Sequence, residues 1–100
     1  MDRPEAARLL RAEMTRFARR SRAELAQLIG QVEAYSIEGA GGVSYQIEVD
    51  AHWDGEPGAT IRVLGSIDDG GFRSSFRPMT DGFLVDTAGV IEMVDLDASG

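Results

Sequence analysis

The segment "EVDAHWD" sets Glu48, Asp50, His52 and Asp54 at alternate positions, so on an extended chain they leave the same side about 7 Å apart. Carboxylates and an imidazole at that spacing can share a divalent cation or act as an acid/base pair. Such a site needs ligands converging from several elements, however, and the segment that should face this one offers Thr60, Arg62 and Leu64 instead of further acids or histidines. Asp50, His52 and Asp54 are therefore candidate metal ligands or catalytic groups. The plainer alternative is a solvated polar face on which Asp50 and Arg62 form a cross-strand ion pair.

A second acidic group stands in "GSIDDGG", where Asp68 and Asp69 precede two glycines. Asx-Gly between alternating hydrophobes is the chemistry of a type I′ hairpin, which requires positive φ at both central residues. A turn at Asp69-Gly70 would pair Ile67 with Phe72, Val63 with Phe76 and Ser66 with Arg73, keeping the apolar residues on one face. The two acids therefore read as a turn, with a cation or partner site at the loop as the alternative. Ser74 and Ser75 lack a base, because the one histidine lies two strands away in this topology, and a hydroxyl nucleophile needs an adjacent base. "GAGG" at 39–42 has neither the lysine nor the following helix of a phosphate-binding loop. The chain has no cysteine, which excludes disulfides, thiolate metal sites and cysteine nucleophiles. No cofactor is implied, and the reading leans away from an enzyme.

Arginine supplies all ten basic residues. On a continuous helix Arg8, Arg11, Arg19 and Arg22 would fall within about 80° of one another, on a flank away from the apolar stripe. Such a basic face is solvated, meets a protein partner such as the acidic sheet of a second copy, or grips phosphates. Against nucleic acid stands the charge balance: residues 1–30 hold seven Arg and four acids, residues 31–100 three Arg and thirteen acids, and the net charge is −7.

The elements that position these groups follow from periodicity. Residues 1–30 read as helix. Asp2 and Glu5 have capping-box spacing, Pro4 falls in the first turn, and Leu10, Met14, Phe17, Leu25, Leu28 and Val32 recur at helical intervals. "SRAE", Ser21 to Glu24, is itself a capping box where the stripe would need an apolar residue, so the helix is open to a kink or break near Ser21. Gly30 suits its end. The period then drops to two: in "VSYQIEVDAHWD" Val43, Tyr45, Ile47, Val49, Ala51 and Trp53 alternate with polar residues. Shorter runs, "QVEAYSIE", "ATIRVLGSI", "FRSSFRP" and a closing "GFLV"/"VIEM" hairpin, are separated by Gly, Pro and Asp turns. A "GEP" loop would place Trp53 opposite Ala59, Ala51 opposite Ile61, Val49 opposite Val63 and Asp50 opposite Arg62. The expected fold is α+β: an N-terminal helix packed on one face of a four- to five-stranded antiparallel meander. Residues 1–30 form the helix, 31–94 the sheet and 95–100 a frayed tail, in one domain. Trp53, Phe72, Phe76 and Tyr45 would fill the core.

The run "GSIDDGGFRSSFRPMTDGFLV", residues 65–85, resembles a segment of small bacterial proteins of unassigned function, and the resemblance implies no activity, cofactor or site residue. A chain without a signal-peptide h-region or an apolar run of roughly 18 residues is expected to be cytoplasmic, with no membrane contact. Two functions follow. The first is a protein-binding module, self-associating or not, that works through its open sheet face or a sheet edge, with Arg62, Leu64, Arg73 and Arg77 as its surface. The second is a small enzyme or ligand-binding domain centred on Asp50, His52 and Asp54.

Overall fold

The computed structural model describes residues 2–70 and 79–94. Asp2 caps helix α1 (Arg3–Ala18) by accepting the Glu5 N–H at 3.0 Å, and Pro4 sits in the first turn, where its missing N–H costs nothing. The helix stops because Ser21 starts another. Ser21 accepts the Glu24 N–H and Glu24 accepts the Ser21 N–H, both at 3.1 Å, closing a capping box on α2 (Arg22–Ala26). This is the break that "SRAE" allows, and it separates Arg22 from the helix that carries Arg8 and Arg11 and ends with Arg19 as its C-cap. The continuous four-arginine face therefore does not form. α2 ends at Ala26 with Gln27 as its C-cap, short of the expected stop at Gly30, which at φ 85° lies instead in the turn closed by the Gln31 N–H to Leu28 carbonyl bond before β1.

Five strands follow: β1 (Val32–Glu38), β2 (Ser44–Asp54), β3 (Thr60–Asp68), β4 (Met79–Val85) and β5 (Ile91–Val94). Each pairs antiparallel with the next in one sheet of order β1-β2-β3-β4-β5. This is the α+β arrangement expected. In β2 Tyr45, Ile47, Val49 and Ala51 are buried while Ser44, Gln46, Glu48 and His52 are exposed, so the two-residue rhythm sorts directly into an inner and an outer face. Ala6, Leu10, Met14 and Phe17 of α1 and Leu25 of α2 close the inner face, with α1 lying over β3 and β4. Gly65 makes the close approach possible, since a Cβ there would collide with the Met14 sulfur. Val32, which continues the helical spacing on paper, lies instead on the outer face of β1 and is 61% exposed.

Two registers differ from expectation. Between β2 and β3, Trp53 pairs with Ile61, Ala51 with Val63, Val49 with Gly65, Asp50 with Leu64 and His52 with Arg62. The shift is two residues, because the loop runs from Gly55 to Ala59, with Gly55 and Gly58 both at positive φ. An even shift preserves the faces, which is why the apolar pattern alone does not reveal it. Between β3 and β4 the departure is larger: Ile67 pairs with Met79, Ser66 with Thr80 and Val63 with Phe83. The strand beside β3 is thus 79–85, not "FRSSFRP", and Asp69-Gly70 is not a two-residue hairpin. Asp68 Oδ1 does accept the Gly70 N–H at 2.7 Å, with Gly70 at φ 72°, so the pair starts a turn at the end of β3. Phe72, Phe76, Arg73, Arg77 and the tail at 95–100 lie outside the described residues. Phe83 takes the core place opposite Val63, and the β4–β5 hairpin across "DTAG" forms as read.

Ser21→Ala removes the side-chain half of the capping box and should lower stability by about 1 kcal/mol, seen as a lower urea midpoint with an unchanged slope. An unchanged midpoint would mean that α2 is held by packing alone.

Candidate functional site

The polar groups of the inner face are already committed. Glu5 is 9% exposed, and its carboxylate does not return to the Asp2 N–H to complete the first capping box. It accepts the Tyr45 hydroxyl at 2.7 Å and the Ala40 N–H at 3.0 Å. A buried phenol needs an acceptor, and the one carboxylate serves both it and the N–H of the loop. Gly39 packs so closely against this group that a Cβ would lie 2.5 Å from the Tyr45 ring. On the other flank of α1, Arg11 grips Asp81 of β4 with two bonds, Nη2 to Oδ1 and Nε to Oδ2, each 2.9 Å, and Asp81 is 5% exposed. The Tyr35 hydroxyl donates to Glu13 at 2.7 Å, and Arg20 lies 4.2 Å above the Phe17 ring while pairing with Glu33 at 3.2 Å. Arg22 donates to the carbonyls of Gly58, Ala59, Val85 and Asp86, fastening the β2–β3 and β4–β5 loops to α2. Of the four arginines on the expected basic face, Arg11 and Arg22 are thus consumed by the fold, and Arg8 and Arg19 are exposed. Among the described residues no buried side-chain polar atom lacks a partner.

The outer face is different in kind, since no described helix covers it. Its β2 row carries the sequence candidates. His52 Nε2 lies 3.3 Å from Asp50 Oδ2, with 59% of the His52 side chain exposed. Asp54 accepts from Arg62 at 2.6 Å, again on the surface. Asp50 therefore pairs with His52 along its own strand, and Arg62 takes Asp54 instead of Asp50, because the register places Arg62 opposite His52. Among the described residues no group of three His, Asp or Glu side chains could hold a metal ion. Exposed pairs of this kind contribute at most about 1 kcal/mol.

Leu64 proves to be one of several apolar residues. With Gly82 and Leu84 of β4, Val94 of β5 and the Arg62 stem it lines a depression of about 160 Å³ on the outer face. Gly82 deepens it, since a Cβ there would meet the Val63 carbonyl oxygen at 2.5 Å. Leu84 and Val94 are the residues that the sequence reading missed. The signal was present in "GFLV": in a strand, Phe83 and Val85 cannot turn inward without turning Leu84 outward. Among the described residues the outer face carries Glu38, Glu48, Asp50, Asp54, Asp68 and Glu92 against Arg62 and His52. A wider depression of about 590 Å³ beside α1 and β4 takes in Arg8, Arg11, Met79 and Asp81, but its acid is the one bound to Arg11. No helix among the described residues is long and apolar enough to cross a membrane. Comparison with known proteins finds no matching family model, no matching curated protein and no matching solved structure.

The Glu5 bond, and then burial, push the Tyr45 phenol up to about 12. Burial, and then the bond to Glu13, raise Tyr35 as well. A raised folded-state value contributes stability that is complete below the unfolded phenol's pKa of about 10 and is lost as pH rises through the folded one. Alkaline titration should therefore show no phenolate absorbance step near pH 10 from either of the two tyrosines, and stability should fall between about 10 and about 12. A step near pH 10 in the folded protein would contradict the Glu5–Tyr45 or the Glu13–Tyr35 contact, and Tyr35→Phe tells which.

Proposed function

We propose that the chain is a non-enzymatic protein-binding module that docks its partner on the outer face of the sheet. The observation that carries this reading is the Leu64–Leu84–Val94 patch on a face whose charged residues, among those described, are mostly acidic and which no described helix covers. A volume of about 160 Å³ is well below the roughly 300–1,000 Å³ of small-molecule sites. It is of the size for an apolar side chain presented by another protein, with polar groups around its rim. The surrounding carboxylates select the partner's charge. A cationic segment with an apolar anchor is complementary, whereas a phosphate backbone, or the same acidic face of a second copy, is repelled.

The enzyme alternative at Asp50, His52 and Asp54 gains no support from the geometry. The Asp50–His52 and Asp54–Arg62 contacts are exposed, and among the described residues no group of three His, Asp or Glu side chains could hold a metal ion there.

Selection from a displayed library of random peptides tests the reading. Binders should be enriched in Lys and Arg around a Leu, Phe or Met, and Leu84→Asp should weaken them at least 10-fold with an unchanged circular dichroism spectrum. Their affinity should also fall with salt. Acidic binders, or binders indifferent to Leu84→Asp, would overturn it.

A further inference from the structure

We propose that a second copy of this chain pairs antiparallel along β1, across a two-fold axis at Tyr35, to give one continuous ten-stranded sheet. This goes beyond the docking reading, which concerns the outer face and a different protein; here the contact is backbone to backbone at an edge.

The edge is defined by hydrogen-bond direction. The Gly39 N–H donates to the Val43 carbonyl at 2.7 Å, one step beyond the Glu38–Ser44 pair. In an antiparallel ladder, bonded and non-bonded pairs alternate, so Ile37, Tyr35 and Glu33 direct their N–H and C=O groups to β2. Val32, Ala34, Ser36 and Glu38 direct theirs away from the sheet. All of these outward-directed residues are exposed, β1 is seven residues long, and its register with β2 runs without a bulge or proline. Edges left to face water are usually shortened, bulged, interrupted by proline or given inward charges. The one inward charge here, Glu33, is neutralised by Arg20, and Glu13 beside Tyr35 is balanced by Arg16 at 3.2 Å. At the opposite edge, β5 has four described residues.

Symmetry then selects the register. Facing residues in an antiparallel pair lie on the same side of the sheet, so a two-fold must centre on a residue. Centred on Tyr35, Ala34 meets Ser36 of the other copy and Val32 meets Glu38, and every outward-directed residue is bonded. Centres at Ala34 or Ser36 leave Glu38 or Val32, respectively, without a strand partner. Under the Tyr35 register no acid faces an acid: Glu33 meets Ile37, and Glu38 meets Val32. The two Tyr35 rings become a close cross-strand pair, each already stacked on its own Phe17 at 6.5 Å. Both helix layers lie on one side of the joined sheet. The two outer faces merge on the other.

The test is molar mass of the full chain by light scattering from about 10 µM to about 1 mM, a span that brackets modest affinities. A dimer is expected, and Ser36→Pro should return it to a monomer with unchanged circular dichroism. Its missing N–H is an outward one, which the β1–β2 ladder does not use. Because that variant can fail to fold for other reasons, register is read separately in this cysteine-free chain. Ala34→Cys mixed with Ser36→Cys should form a mixed disulfide, since bonded pairs sit about 5.5 Å apart at Cα. Either variant alone should not, since its sulfurs would be offset by two residues. A monomer at all concentrations, a dimer that persists in folded Ser36→Pro, or cross-linking of the single variants as readily as the mixture would each overturn the proposal. None of these outcomes bears on peptide binding at Leu84, so the two readings fail separately.

Discussion

Two carboxylates buried between the helix and the sheet govern this molecule. Glu5 reaches from α1 to Tyr45 and the loop before β2, and Asp81 reaches from β4 to Arg11 on the far flank of the same helix. A buried carboxylate left without a partner costs several kcal/mol, so the helix has one seating in which both are satisfied. Hydrophobic burial under Leu10, Met14 and Phe17 supplies the larger driving force. That force is non-directional, and the polar contacts set where the apolar stripe comes to rest.

The open face is a consequence. With both helices held on the inner side, the outer residues of five strands face water, and the alternation that makes one face apolar makes the other polar by necessity. Leu64, Leu84 and Val94 are exceptions to that alternation, and they cluster. Scattered apolar residues on a surface need no explanation, whereas a contiguous group in a concavity is the feature on which the proposed docking rests. The β1 edge adds backbone groups directed at solvent from the same sheet. A pairing there would double the area of the outer face without altering its chemistry.

What could be read from the sequence was local. The alternation of β2, the capping box at Ser21 and the β4–β5 turn each depend on residues within a few positions of one another, and each forms. The failures involve distance. Asp81 carries no role on paper until Arg11, 70 residues earlier, is known to face it. Its place inside a strand is what separates β4 from the expected "FRSSFRP". Glu5 reads as half of a capping box because its competing partner, Tyr45, lies 40 residues on. The two-residue slip between β2 and β3 leaves every side chain on its proper face, so hydrophobicity is blind to it; the loop's two positive-φ glycines and the grip of Arg22 on Gly58 and Ala59 go with the observed length. For the candidate site, Arg62 and Leu64 were legible as outward residues of one strand. Their neighbours Leu84 and Val94 required the β4 register.

Hydroxyl-radical footprinting of the chain at low concentration, read residue by residue by mass spectrometry, tests the two-sided sheet most directly. Leu64, Leu84 and Val32 should be oxidised readily, while Met14, intrinsically far more reactive, should be protected along with Leu10 and Phe83. Rapid oxidation of Met14 in the folded chain, with Leu84 protected, would mean that the helix does not cover the inner face and would contradict the account at its root.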